Sequence, residues 1–382
     1  MLKDPLTLAV LIAAITALAF WLDYRFTAMS KAGATLLVII FGALLSNTGI
    51  VVLDSPVYSA IEGPVTSLAI VFLLLSVGLG DLKQAGPRML GMFLIAAIGT
   101  ALGAFIGALL FSPALGAETW RLAGAFTGTY TGGGLNFAAL GRALDLSPSM
   151  FSAAAAADNV TTAIWIGVTL AAPIWLMRRW PDGADDTALA EGAGAAHDAS
   201  PHPFWGAVPI SLLDLVQLAA IGLFVMLAAR LVSQSVGLFP EILWLTTFAL
   251  ILAQLPAVRA LHGAQQFGNL GLHFFFAVIG IRSLLGEMLR VGPEVFYYTL
   301  VVVGVQGAFL LVVGRALKGS VSTMAVASQA AIGGPTTAMA LAVARGWPGL
   351  MLPGVAVGLL GYAVGNYSGF AVAHLVRLIL GG

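Results

Sequence analysis

Runs of about twenty apolar residues recur along almost the whole chain, and about twenty is the number a helix needs to cross the roughly 30 Å hydrocarbon core of a bilayer. Within lipid every backbone amide and carbonyl must be satisfied by the chain itself, which leaves α-helices for segments of this kind. Twelve such runs are read, at roughly 6–22, 33–53, 62–80, 88–111, 121–143, 148–177, 208–231, 239–258, 267–286, 293–317, 320–345 and 348–378. Composition agrees: 59% of the residues are hydrophobic and only 9% charged, with a mean hydropathy of +0.99. The expected fold class is an all-α polytopic membrane protein, multi-pass in the inner (plasma) membrane, with the lipid bilayer as its solvent. Lys and Arg balance Asp and Glu at 17 each, so no basic field exists to hold nucleic acid. No Cys is present, which excludes disulfides and thiolate metal centres, and the five His show no ligand spacing. No cofactor or resident metal is expected beyond a transported sodium ion. The first run carries a lone Lys3 and no small-residue cleavage site, so it reads as a first span rather than a removed signal peptide.

One long polar stretch, Arg178 to Gly206, gathers Asp182, Asp185, Asp186, Glu191 and Asp198 and reads as a solvated linker. It divides the chain into a first repeat at 1–177, a linker at 178–207 and a second repeat at 208–382. The two halves resemble each other. Thr131-Gly132-Gly133-Gly134-Leu135-Asn136 followed by Pro148 parallels Ile332-Gly333-Gly334-Pro335-Thr336-Thr337 followed by Pro348, and the glycine pair and the proline recur 200 residues on. Ser76-Val77-Gly78-Leu79-Gly80 with Gly86-Pro87 is echoed by Val278-Ile279-Gly280-Ile281 with Gly292-Pro293. Weak internal symmetry of this sort marks repeat-built secondary transporters. Six full spans per half would place equivalent helices in one orientation, whereas an inverted repeat needs an odd displacement. Eleven to thirteen transmembrane helices are therefore expected, with the miscounted one around 149–231.

Glycine clusters interrupt two of the runs. Gly costs about 1 kcal/mol against Ala in a helix, so consecutive Gly with flanking Thr or Pro should unwind a turn and expose backbone dipoles. Such a turn is tolerated at membrane depth where it lines a cavity or is buried in protein; close helix packing is the alternative use of Gly. Polar side chains collect at the same places: Thr127, Thr129, Tyr130, Thr131 and Asn136 in the first half, Gln329, Thr336 and Thr337 in the second. Hard alkali cations take oxygen ligands of this kind. Near the middle of the run 153–176 stand Asp158 and Asn159. A carboxylate at bilayer depth costs roughly 2.5–3.5 kcal/mol and survives facing a protein interior or a water-filled path. Such a group can exchange a proton for a cation. The candidate ion site is Asp158, Asn159, Asn136, Gln329 and Thr337. The candidate substrate site is Thr131, Gly132, Gly133, Gly134, Gly333, Gly334 and Thr336, where half-helix N-termini would meet a carboxylate on a small organic anion, zwitterion or short peptide.

The runs Gly128-Thr129-Tyr130-Thr131-Gly132-Gly133-Gly134-Leu135-Asn136-Phe137, Ala156-Ala157-Asp158-Asn159, Ile332-Gly333-Gly334-Pro335-Thr336-Thr337-Ala338 and Leu360-Gly361-Tyr362-Ala363-Val364-Gly365-Asn366-Tyr367 resemble the domain-of-unknown-function 819 (DUF819) membrane family. That family is grouped with cation/proton antiporters and anion transporters, including bile acid sodium symporters and sodium/proton antiporters. The resemblance implies two inverted repeats, two discontinuous helices crossing at the membrane middle, and elevator-like movement of a core domain against a scaffold, with a homodimer by analogy. Gly133, Gly134 and Asn136 match the symporters' first crossing helix, and Gln329 falls where a sodium-liganding Gln precedes the second. Asp158 occupies the place of the antiporters' Asp-Asp or Asn-Asp pair, but the order here is Asp-Asn and the symporters lack that carboxylate. Sodium and proton coupling both stay open, the oxygen-rich crossing favouring sodium.

Other charges have plainer readings. Asp81, Lys83 and Arg88 are interfacial, Arg230, Arg259 and Arg345 end helices, and Asp214 and Glu241 start them. Arg282, beside Gly280, is the cation that would pair with an organic anion if not with a neighbour. Rival functions are a cation/proton antiporter, a holin-like pore, and an intramembrane aspartyl protease, the last resting on the GxGD string Gly78-Leu79-Gly80-Asp81. No other enzyme chemistry is indicated.

Overall fold

The computed structural model describes residues 2–181, 208–237 and 239–380; the linker from 182 onward lies outside the described residues. Every expected run carries helix: α1 Pro5–Arg25, α2 Ala34–Asn47, α3 Pro56–Leu75, α4 Leu82–Leu115, α5 Thr119–Gly132, α6 Gly134–Ala143, α7 Pro148–Arg179, α8 Leu212–Val236, α9 Glu241–Leu252, α10 Ala264–Arg282, α11 Leu285–Ala316, α12 Val321–Ala344 and α13 Met351–Leu380. The chain is an all-α polytopic membrane protein. Among the described residues seven helical stretches are long and apolar enough to cross a membrane, one of them covering both α4 and α5, and α2 and α9 are shorter apolar helices. At 1.5 Å per residue their 14 and 12 residues span only about 20 Å of the roughly 30 Å core. The helices described in 149–231 are both long, so the short elements fall elsewhere, at the second position of each half.

Two compact units emerge, and each draws on both halves of the sequence. The first is Met1–Ser76, Gly141–Asn159 and Ala207–Phe296; the second is Val77–Leu140, Val160–Gly206 and Tyr297–Gly382. These units cut across the sequence repeats, and α6, α7 and α11 pass from one to the other.

In the first unit α2 and α10 approach through glycine. A Cβ on Gly42 would come 2.9 Å from Ile281 N, and one on Gly280 equally close to Ile39 Cα. Lipid gives apolar helices no hydrophobic reason to associate, so small residues that admit close backbone contact supply the packing. Gly280, read from sequence as the echo of Gly78, is thus helical and a packing residue. Polar cross-links fix the same unit. Ser283 Oγ lies 2.5 Å from Ser152 Oγ and donates to Pro148 O, and Asn47 Nδ2 donates to Ser283 O at 2.9 Å. Helix α3 widens into a π-turn at Ile61–Val65 around Pro64. Proline removes one amide donor from the ladder, and Thr66 Oγ1 donates to the Ile61 carbonyl at 2.6 Å. Ser211 and Asp214 form a reciprocal capping box at the start of α8, which is the helix-start role expected of Asp214; Glu241 likewise falls in the first turn of α9.

In the second unit α4, α5, α12 and α13 pack on one another. Helix α11 joins along Gly99 and Gly103 of α4, whose Cβ positions would fall 3.0 Å from Gln306 Cα and 2.9 Å from Val302 Cα. Tyr298 completes the seam by donating to Ala104 O at 2.7 Å. The GxGD string of the protease rival is not helical at membrane length: Leu79–Asp81 is a three-residue 3-10 turn.

Candidate functional site

Both glycine clusters break their helices, and in the same conformation. Gly133 has φ 80°, ψ −173°, and Gly334 has φ 79°, ψ −169°. This corner of backbone space is open almost only to Gly. The sequences reach it by different routes. In the first half three successive Gly lower helix propensity until the ladder stops, α5 ending at Gly132 and α6 starting at Gly134. In the second, Pro335 removes an amide and disfavours helical geometry in the residue before it, Gly334. The equivalent glycines are 201 positions apart, one more than the spacing of the two prolines, so the sequence register of 200 is corrected to Gly133 with Gly334 and Asn136 with Thr337.

Glycine neighbours of the breaks do the other job, packing. Gly361, Gly365 and Gly369 of α13 run along Gly132, Gly128 and Gly124 of α5: a Cβ on Gly361 would lie 2.9 Å from Gly132 Cα, one on Gly365 3.0 Å from Gly128 O, and one on Gly369 2.6 Å from Gly124 O. Further up α13, Gly358 faces Pro335 with its Cβ position 2.8 Å from Pro335 Cα. One helix therefore holds both broken helices, and Tyr362 sits between its two glycine seams. The Tyr362 Cε1 atom is 3.7 Å from the Cβ position of Gly133 and 4.0 Å from that of Gly334, whose Cβ position is also 3.7 Å from Tyr362 Oη. The two breaks are then no farther apart than the sum of those two distances. In the sequence Tyr362 is one residue of the Leu360–Tyr367 motif, with nothing to single it out.

Around the first break Thr129, Thr131 and Asn136 are buried. The Asn136 amide nitrogen donates to Gly361 O at 3.0 Å; a carbonyl is acceptor-only, so that bond fixes the amide and leaves Oδ1 facing away. Asn136 Oδ1, Thr129 Oγ1 and Thr131 Oγ1 have no hydrogen-bond partner among the described residues. Buried polar atoms in native proteins are nearly always satisfied, so three orphaned oxygens at one break stand out. After the second break Thr337 Oγ1 lies 3.1 Å from Gly334 O and 3.3 Å from Gln329 O, donating back across the kink. Gly134 and Thr336, the residues just beyond the breaks, are exposed.

Gln329, fully buried, anchors a second polar group. Its Oε1 accepts from Thr169 of α7 at 3.0 Å, and its Nε2 lies 2.7 Å from the Cβ position of Gly333. Beside it Trp165 Nε1 donates to Ser328 Oγ at 2.9 Å, and Ser328 donates onward to Gln306 Oε1 at 2.9 Å. The direction of this relay follows from the indole, which can only donate. Gln306 and Gln329 keep buried amide hydrogens unpartnered among the described residues. Trp165, Thr169, Gln306 and Ser328 were missed in the sequence, where each is a single polar or aromatic residue inside an apolar run. A cavity of about 210 Å³ nearby has walls that are mostly apolar, and its hydroxyls, Thr169 and Ser328, are those already engaged; it offers a charged group little.

Asp158 and Asn159 are half-buried on an unbroken stretch of α7 and belong to the first unit, whereas the breaks belong to the second. Asn159 Nδ2 donates to Ala155 O at 2.8 Å, one turn back. Thr161, three residues further along α7, shares a 2.6 Å hydrogen bond with Thr299. Arg282 is not kept for an anion: its Nη1 lies 2.6 Å from Glu62 Oε2 in an ion pair within the first unit.

An all-helical membrane protein with two matched discontinuous helices defines the class. The chain belongs to the family described as protein of unknown function (DUF819), whose model matches residues 10–379. It is also 28% identical over 373 residues, 94% of this chain and 93% of the relative, to the uncharacterized membrane protein YjcL of Bacillus subtilis (strain 168).

Proposed function

We propose that this chain is an ion-coupled secondary active transporter of the inner membrane. It moves a small organic anion, zwitterion or short peptide by elevator-type alternating access, with sodium as the favoured coupling ion. The observation that carries the reading is the pair of breaks of equal conformation against one tyrosine, with buried unpartnered oxygens at the first. Broken helices with exposed dipoles at membrane depth are how such carriers bind ions and substrates. The motif resemblance to bile acid sodium symporters and sodium/proton antiporters supports the same reading. Two compact units, each made from both halves, suit a carrier in which one body moves against another.

In this reading the oxygens of Asn136, Thr129, Thr131 and Gln329 desolvate the cation. The half-helix ends at Gly134 and Thr336 take the substrate's negative end. Asp158 and Asn159 favour a second reading, cation/proton antiport, because a half-buried carboxylate in a membrane helix can trade its proton for a cation. A thermal-shift screen in detergent across sodium, potassium, pH and a metabolite panel finds what binds the folded state, and liposome uptake of each hit follows. Saturable uptake that requires the co-ion supports the carrier; gradients dissipated without saturation mean a pore, and sodium-driven proton movement without any organic substrate means antiport.

A further inference from the structure

The two breaks share one backbone geometry but not one supply of oxygen. In the register that superposes Gly133 on Gly334, Thr129 corresponds to Ala330 and Thr131 to Ile332. Asn136 corresponds to Thr337, whose hydroxyl donates within its own helix. The orphaned hydroxyls of the first break therefore have no counterparts at the second. The oxygen found there comes from another helix: Tyr362 Oη stands 3.7 Å from the Gly334 Cβ position. That hydroxyl makes no hydrogen bond among the described residues. Repeat symmetry does not supply it either, since the positions of α7 that match Tyr362 are Thr161 or Thr162, and Thr161 is engaged with Thr299.

We propose that the Tyr362 hydroxyl is the second break's oxygen ligand for the transported cation, and that it sets the preference of the site for sodium over potassium. The proposal rests on the transporter reading above. Alkali cations accept neutral oxygens, and a ligand shell built from both breaks needs one at Gly334. The ring lies within 4.0 Å of the Cβ positions of both glycines, and a phenol has only two side-chain torsions, so its oxygen has little freedom to adapt to a larger ion.

The test is sodium titration of thermal unfolding with the purified full-length chain in detergent, choline chloride holding ionic strength constant, repeated with potassium. The wild-type melting point should rise with sodium. Tyr362→Phe keeps the ring and should melt at the wild-type temperature without sodium. Its half-saturating sodium concentration should rise about tenfold or more, as loss of one ligand to a charged group implies, and its sodium-to-potassium ratio should approach one. That ratio is the deciding readout, because a merely loosened core would weaken both ions alike. If Tyr362→Phe does not fold, Tyr362→Met, which fills the space flexibly without a hydroxyl, takes its place under the same criteria. A variant with wild-type half-saturation and wild-type selectivity overturns the role of Tyr362 while leaving the transporter reading standing. A wild-type melting point indifferent to sodium overturns that reading and this proposal with it.

Discussion

Replacing Gly334 by Ala isolates the cost of the break from the cost of packing. At φ 79°, ψ −169° an L-residue is strained by roughly 1–3 kcal/mol. Space is not the obstacle, because the new methyl would meet Tyr362 Oη at 3.7 Å and Cε1 at 4.0 Å, ordinary contact distances. Gly167 supplies the control. It lies within α7 with nothing within 4 Å of its Cβ position, so Ala there should gain about 0.5–1 kcal/mol of helix propensity. The same chemical change at two sites should therefore differ by roughly 1.5–4 kcal/mol, with opposite signs. Thermal unfolding in detergent, followed by circular dichroism, measures the difference. Gly334→Ala should melt below wild type and Gly167→Ala at or above it. Since the strained helix can relax by closing the kink, Gly334→Ala should also lose the sodium response while keeping its helical signal. Equal melting points for the two variants, with the sodium response intact in Gly334→Ala, would refute the argument that this break is a glycine-dependent part of the site.

Gly365→Ala acts through packing instead: its methyl would overlap the Asn136 amide and fall 3.0 Å from Gly128 O. An overpacking loss of about 1–3 kcal/mol and a weaker sodium response should appear together in the same titration. Arg282→Ala breaks the pair with Glu62; as Arg282 is over a third exposed, the loss should be about 1 kcal/mol or less, with uptake in liposomes unaltered. Asp158→Asn and Gln329→Ala should abolish coupled uptake while the protein still folds, as judged by size-exclusion profile and helical signal. Normal transport by Asp158→Asn at every pH would remove that residue from the mechanism.

Much of the fold was legible because lipid leaves so few options. A run of twenty apolar residues has one satisfactory backbone, so each of the twelve runs carries helix. Helix ends were readable for a local reason also, as Ser211 and Asp214 illustrate: a capping box lies within four residues. The breaks were readable from glycine's weak helix propensity, and at the second from the proline that follows. What a single glycine does was not. Gly132 and Gly133 are adjacent and identical in type, yet one packs against Gly361 and the other holds the kink; which is which depends on a helix more than 200 residues away. Arg282 gave no sign that Glu62 was its partner, because the two lie 220 positions apart.

By itself, then, the sequence determined the solvent, the helices, the two weak points and the polar side chains beside them, since hydropathy, propensity and capping act over one or two turns. Tertiary structure alone decided that parts of both halves join in each compact unit, that α13 seams the two broken helices together, and that Tyr362 faces both breaks. Close approach in lipid is governed by backbone shape and small residues rather than by apolarity, and neither leaves a periodic trace that reveals its partner.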